Sequence, residues 1–375
     1  MTVRTCDILV IGGGMAGISA AALLAREARV IVLEMEPVPG HHSTGRSAAI
    51  FIRNYGSNVL RALNAASAGF FSEPVDVASE SLLTERGELM IADEDEREAL
   101  ARYLDGSSGL ERISPDEAVA RVPILRRERI VEAVYEPDAQ DIDVDRMFQG
   151  LQRLLKARGG EIVTGAGVTG IARRDGIWEA ETPAGRFQAP TIINAAGAWA
   201  DRVAALAGVA QVGLRPLRRS AALLPAPEGY DLRGWPLVVS ASERWYLKPE
   251  AGKLMVSPAD EDEVEPQDAW PDDMVVAEGL YRFEQAVTIP VTRVEHSWAG
   301  LRSFVADRNP VAGFAPGADG FLWLAGQGGY GIQAAPALAR LATALCLGHE
   351  PDLPPDVVAA LSPARASLAT GKRVS

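Results

Sequence analysis

Only two cysteines, Cys6 and Cys346, occur in the 375 residues, and they lie far apart. That usage excludes a disulfide framework and a cysteine-based metal cage, and it fits a reducing compartment. No uninterrupted apolar stretch is long enough to span a bilayer, so a cytoplasmic protein without a membrane span is expected. Positive charge is in deficit: the formal net charge of -13 sets up a field that repels both nucleic acid and anionic lipid. Long low-complexity tracts are also missing, and 47% hydrophobic content at this length supports the core of a globular enzyme with two domains. Much of the acid excess falls in one stretch, Asp260, Glu261, Asp262, Glu263 and Glu265, then Asp268, Asp272 and Asp273 among prolines; it reads as a solvated loop.

The first chemical signal is at the start of the chain. Asp7-Ile8-Leu9-Val10-Ile11 reads as a buried strand running into Gly12-Gly13-Gly14-Met15-Ala16-Gly17, a GxGxxG pattern. Ile18 to Glu27 then reads as an alanine-rich helix, and Arg29 to Leu33 as a second strand ending at Glu34. In such a βαβ unit Gly12 permits the tight turn, Gly14 lets a pyrophosphate approach the backbone, and Gly17 lets the helix lie close to the strand. Unpaired N–H groups at the helix start favour anionic oxygens, while Glu34 is placed to accept hydrogen bonds from an adenosine ribose.

FAD and NAD share this unit, and the following loop separates them. Pro39-Gly40-His41-His42-Ser43-Thr44-Gly45-Arg46-Ser47 is rich in hydroxyls and carries one guanidinium, which suits the second phosphate and ribityl chain of an extended cofactor. His41 and His42 have no carboxylate or cysteine cluster beside them in sequence; they read as solvent-facing, and no metal site is expected.

The middle of the chain is rich in strands: Gly160–Val163 and Gly167–Ile171, the second entering a hairpin that turns at Asp175-Gly176. Thr191 to Asn194 forms another strand before Ala195-Ala196-Gly197-Ala198-Trp199, whose small residues suit either a ligand's close approach or a packed strand-to-helix corner. Phe321 to Ala325 reads as a strand entering Gly326-Gln327-Gly328-Gly329-Tyr330-Gly331-Ile332-Gln333, with a helix after it that tolerates Pro336 near its start and runs through Ala337–Leu347. A helix N-terminus facing the flavin pyrimidine would stabilise the negative charge of reduced flavin; glycine used only for a tight turn is the competing explanation.

Together these three glycine-rich segments resemble the D-amino-acid oxidase superfamily of FAD enzymes. Within it the chain is most similar to the branch of bacterial FAD-dependent D-arginine dehydrogenases. The resemblance covers essentially the whole chain and is carried by Gly40 to Ala49, Asn194 to Trp199, Arg218-Arg219-Ser220, Tyr246-Leu247-Lys248-Pro249, Trp298 to Phe304 and Gln327 to Gln333. It implies an α/β fold with a discontinuous Rossmann-like FAD domain, 1–84, 138–213 and 303–375. Residues 85–137 and 214–302 form an α+β substrate domain built on a mixed sheet. FAD is expected to be noncovalent, since neither cysteine matches an attachment position.

The resemblance adds Ala16, Met35, Ala48, Ala49, Ile50 and Val168 to the cofactor contacts, and includes Ala196, Gly197, Gly328, Gly329, Tyr330, Gly331, Ile332 and Gln333 among them. It implies that Arg302 holds a substrate carboxylate in a bidentate pair, assisted by Tyr55 and Tyr246, with Arg219 as a second pocket arginine. Gly329 offers a backbone carbonyl to the amine, Ile52, Leu237 and Val239 form apolar walls, and Glu88 takes the cationic end of a basic substrate. Ile50 is a departure, standing where that branch has histidine.

The implied reaction is oxidative deamination of a D-amino acid, basic or broad in side chain. Hydride passes from Cα to flavin N5, and the imino acid hydrolyses to a 2-oxo acid and ammonia. The partners are a small amino acid and an electron acceptor, a quinone, another carrier or oxygen. A glycine or sarcosine oxidase and a non-catalytic flavin-binding sensor are the alternatives.

Overall fold

The structure, a computed structural model, describes residues 3–369. The ends of the expected cofactor domain, 1–2 and 370–375, lie outside the described residues.

The runs Ile8–Ile11, Val30–Leu33 and Thr191–Asn194 are β-branched and buried almost throughout, and they pair in parallel. Parallel strands of this kind need cover on both faces. With Glu161–Val163, Phe321–Ala325 and the antiparallel edge Val311–Phe314 they make a six-stranded sheet. On one side the helix Met15–Leu24 packs against Gly331–Leu347 and Val144–Ala157. On the other, a four-stranded sheet seals Leu9, Ile31, Ile192 and Trp323 into a second core with Trp178 and Phe187.

Within this second sheet the hairpin turns at Asp175 and Gly176, both with positive φ (51° and 81°), as two-residue turns of the primed type demand. Two boundaries differ from expectation. The first helix begins at Met15 and ends at Leu24, because extended Gly14 is its N-cap; the strand before the hairpin begins at Gly170, because Gly167 and Val168 face a cavity instead.

A separate nine-stranded mixed sheet draws its strands from 88–136 and 215–304. Strand alternation gives it two distinct faces. Pairing of Leu217 with Arg302, Leu223 with Met255, Lys248 with Met255, Val239 with Tyr246 and Leu237 with Glu88 puts these residues on one face. Leu89, Val238, Leu247 and Val256 point the other way, into a core shared with Val276, Leu280 and Phe283 of the helix Asp273–Ala286.

The acidic stretch is exposed at Glu261, Asp262, Glu263, Glu265, Asp268, Asp272 and Asp273, as a solvated loop requires, but Asp260 departs from that expectation and latches it to the sheet. Asp260 is buried and accepts from the Ser220 N–H (2.6 Å) and hydroxyl (2.8 Å). Asp262 and Glu263 pair as a short strand with Arg218 and Leu217, and Asp272 caps the helix Asp273–Ala286. Replacing the Asp260 carboxylate with a methyl group leaves the Ser220 N–H buried without a partner, a cost of about 1–3 kcal/mol. Asp260→Ala is therefore expected to lower the urea unfolding midpoint, and an unchanged midpoint would contradict the latch.

Candidate cofactor and substrate site

Two strands of the parallel sheet end in glycine turns at the same edge, and the helix after each begins there. Neither Met15–Leu24 nor Gly331–Leu347 has a side-chain cap or an acid in its first turn. Apart from the Met15 N–H, which donates to the Thr44 hydroxyl at 3.0 Å, their first-turn N–H groups stay available to an anion. Both N-termini open onto one cavity of about 760 Å³ between the two sheets. Gly12, Gly14, Ala16, Glu34, Met35 and Val168 line one end of it; Ala196, Gly197, Gly328, Gly329, Gly331 and Ile332 continue the wall, with Ser43, Thr44, Ser47 and Ala48 along the floor.

Close packing makes this shape possible. A Cβ on Gly17 would sit 1.9 Å from the Gly12 carbonyl oxygen, so only glycine lets the helix lie on the turn. The Glu34 carboxylate accepts from the Gly13 and Glu36 N–H groups, each at 2.8 Å, and is held rigidly at the cavity wall. A pinned carboxylate facing an uncapped helix start fits the ribose and pyrophosphate of an adenine dinucleotide. Neither cysteine lines the cavity, and burial pushes the Cys6 thiol up to about 11 and that of Cys346 up to about 12.

Arg46 lines the cavity, but its guanidinium is committed elsewhere. It donates to the carbonyls of Ala269 (2.8 Å) and Ala299 (2.9 Å) and pairs with Asp268, so it ties the loop to the roof. His42 is not solvent-facing: it is bonded to Glu36 at 3.0 Å and tilts against Trp199. His41, His42 and Asp268 cluster closely, but Arg46 already neutralises that carboxylate. Gly17, Gly45, Ala49, Ile50, Tyr330 and Gln333 lie outside the lining. Gln333 instead accepts from the Ile52 N–H, and its buried Nε2 has no partner among the described residues.

At the roof, the nine-stranded sheet contributes Arg219, Tyr246, Met255 and Arg302 to the cavity. The two arginines differ sharply. Arg219 donates to the Asp260 carbonyl at 2.9 Å and to Glu261 at 3.1 Å, with Glu243 at 3.9 Å. Arg302 makes no hydrogen bond or ion pair with a described residue. Its guanidinium lies flat on Gly329, where a Cβ would meet Nη1 at 2.9 Å. Burial works against its charge, but facing Tyr55, Tyr246, Glu243 and Tyr330 hold its pKa above the ordinary guanidinium value.

Tyr55 and Glu88 lie outside the cavity lining. Tyr55 packs on Tyr330 at 4.8 Å and joins an apolar cluster of Ile50, Ile52, Leu237, Val239 and Tyr246. Glu88 is buried beside Leu237 and bonds the Tyr103 hydroxyl at 3.0 Å. Sequence reasoning missed Glu243, which acts electrostatically on both Arg302 and Glu88 from the turn after Leu237–Ser240.

Residues 7–345 match the family model described as FAD dependent oxidoreductase. The chain belongs to that family. It is 26% identical to FAD-dependent oxidoreductase domain-containing protein 1 of Bos taurus, over 92% of this chain and 82% of that protein. It is 27% identical to the mitochondrial sarcosine dehydrogenase of Mus musculus, over 84% of this chain but 37% of that protein. Glycine oxidase from Geobacillus kaustophilus superposes with a TM-score of 0.84 at 22% identity, covering 96% of this chain and 99% of that one. FAD is the family's cofactor, and the two uncapped helix starts and pinned Glu34 suit it.

Gly17→Ala forces the helix away from the turn. The purified variant is expected to lose its yellow colour, read as the ratio of absorbance at flavin and protein bands, while Arg46→Met keeps the flavin. Full flavin occupancy in Gly17→Ala would contradict the close-packing argument.

Proposed function

We propose that this chain oxidises the Cα–N bond of a D-amino acid, with a preference for basic side chains. The observation that carries the reading is Arg302: a half-buried guanidinium lining the cavity, without an anion of its own, beside Arg219, which has Glu261 and Glu243. Charge buried in that way is costly unless a ligand completes it, and a substrate carboxylate matches its planar fork. The carboxylate docks on Arg302, with the Tyr55 and Tyr246 hydroxyls as donors. The Gly329 carbonyl accepts from the amine and aims Cα.

Bound FAD supplies the hydride acceptor, flavin N5. Tyr55 is no base: burial and the nearby Glu243 carboxylate push its phenol well above the usual range, so it serves only as a hydroxyl. The amine proton passes to solvent, the Cα–N bond becomes a C=N bond, and water converts the imino acid to a 2-oxo acid and ammonia. The two electrons leave to an acceptor such as a quinone, another carrier or oxygen.

Glu88 supports the basic preference. It is buried and bonded to no cation, and burial with the Glu136 charge pushes its carboxyl up to about 8. A guanidinium at the far end of a substrate supplies the missing countercharge. A second reading, a small-amine oxidase acting on glycine or sarcosine, is favoured by the similarity to sarcosine dehydrogenase and glycine oxidase.

Anaerobic flavin bleaching by both enantiomers of arginine, lysine, methionine and proline, with glycine and sarcosine, separates the two. Reduction by glycine or sarcosine alone would overturn the D-amino-acid reading. Arg302→Met is expected to lower kcat/KM by at least about a hundredfold for every substrate while leaving FAD bound, since a charge-assisted bidentate pair is lost. An unchanged kcat/KM removes Arg302 from the site.

Glu88→Leu discriminates within substrates. D-arginine is expected to lose at least about tenfold in kcat/KM relative to D-methionine, the worth of one shielded charge-assisted bond. Because the ionised carboxylate is the form that pairs, the wild-type ratio of D-arginine to D-methionine kcat/KM should rise with pH and level off above about 8. In Glu88→Leu the ratio should be flat. Parallel losses for both substrates would mean that Glu88 serves the fold alone.

A further inference from the structure

Glu88 and Glu136 face each other across adjacent antiparallel strands and are both buried. One hydroxyl, that of Tyr103, lies between them, 3.0 Å from Glu88 and 3.2 Å from Glu136. A hydroxyl has one proton to donate, so it cannot satisfy both carboxylates at once. The remaining donors are divided unequally. Glu136 also receives the Asn54 amide at 2.8 Å and the Arg53 N–H at 3.1 Å, whereas Glu88 has only Tyr103.

We propose that Glu136, by its charge directly across the strand pair and against the pull of the Tyr103 hydroxyl, is a positioning residue that keeps a proton on Glu88, so that the site takes a basic substrate end by exchanging that proton for it. The inference rests on the basic-substrate reading above. The exchange balances: protonated Glu88 loses its proton to solvent as the cation arrives, leaving a carboxylate paired with the ligand and no change of net charge at the site. An apolar substrate end leaves the proton where it is.

The charged and titratable groups that act on Glu88 are Glu136 from the strand Glu132–Glu136, Tyr103 from the helix Arg97–Leu104 and Glu243 from the turn after Leu237–Ser240. None is a cation. Burial, the largest influence, and the Glu136 and Glu243 charges favour the protonated form; the Tyr103 hydrogen bond opposes it. The geometry also links the exchange to the substrate loop, because Glu136 holds the backbone of Arg53 and the side chain of Asn54, next to Tyr55. Tyr103 is thus shared between the carboxylate that reads the substrate and the one that holds the loop.

The test is calorimetric titration of the FAD-loaded protein with 5-guanidinopentanoate, which has the carboxylate and guanidinium of arginine but no amine to oxidise. Runs at pH 8 in two buffers of different ionisation enthalpy count the protons released. With Glu88 near 8, the wild type is expected to release about half a proton per ligand. Glu136→Gln removes the opposing charge and should bring release close to zero, with tighter binding. Tyr103→Phe removes the bond that favours the carboxylate and should bring release close to one, with weaker binding.

A purely structural role moves both variants the same way. Opposite shifts are the signature of the coupling, and heptanoate, which lacks the cation, should bind all three proteins alike and release no proton. Wild-type proton release that neither variant changes, or that both change in one direction, overturns the role of Glu136 and leaves the basic-substrate reading standing. If the wild type binds heptanoate as tightly as 5-guanidinopentanoate and releases no proton with either, the basic-substrate reading falls, and the inference with it.

Discussion

The strands Ile8–Ile11 and Phe321–Ala325 run parallel in one sheet, on either side of Thr191–Asn194, and so they end at the same edge. Each is followed by a glycine turn and a helix, and the two helix N-termini therefore share one cavity. That constraint organises the rest of the site. Two uncapped helix starts in a single cleft create a positive potential at two separate points. A ligand that answers both needs an anionic centre near each, separated by an extended linker, which is the charge distribution of FAD with reduced flavin at one end and pyrophosphate at the other. The backbone can approach so closely only because residue 17 has no Cβ, which would fall 1.9 Å from the Gly12 carbonyl oxygen.

Opposite this edge, the roof sheet arranges charge by commitment rather than by number. Arg46 and Arg219 are both cavity-lining cations, yet each is tied to carbonyls and to Asp268 or Glu261. Their effect is to fasten the loop and the acidic stretch to the roof. Arg302 is left with tyrosines and the more distant Glu243, so it keeps its affinity for an anion that the protein does not provide. Fully paired arginines would have given a sturdier roof with no recognition.

The βαβ unit, the 175–176 hairpin and both cofactor turns were legible in the sequence because their signals are local. Glycine spacing, β-branched runs and a two-residue turn act over a few positions. Asp260 alone in the acidic stretch was misread, for the opposite reason: it finds its partner forty residues earlier, at Ser220, and nothing near it in sequence marks it for burial. The acceptors of Arg46, the carbonyls of Ala269 and Ala299, were not legible either, because a carbonyl has no identity in a sequence. Glu243 was invisible because a turn between two strands, not a motif, brings it over Arg302.

The buried acids pose the opposite problem to Arg302. An unpaired arginine and an unpaired carboxyl both carry a desolvation cost, but the carboxyl can avoid its cost by holding a proton, while guanidinium keeps its charge throughout the physiological range. The two ends of the site are therefore inequivalent. The Arg302 end keeps its charge, and no described residue supplies it with an ion pair. Glu88, with its carboxyl pushed up to about 8 by burial and the Glu136 charge, holds a proton over most of the neutral range and can give it up. At that end the adjustable element needs no moving part, because it is a proton on a buried acid held next to another buried acid.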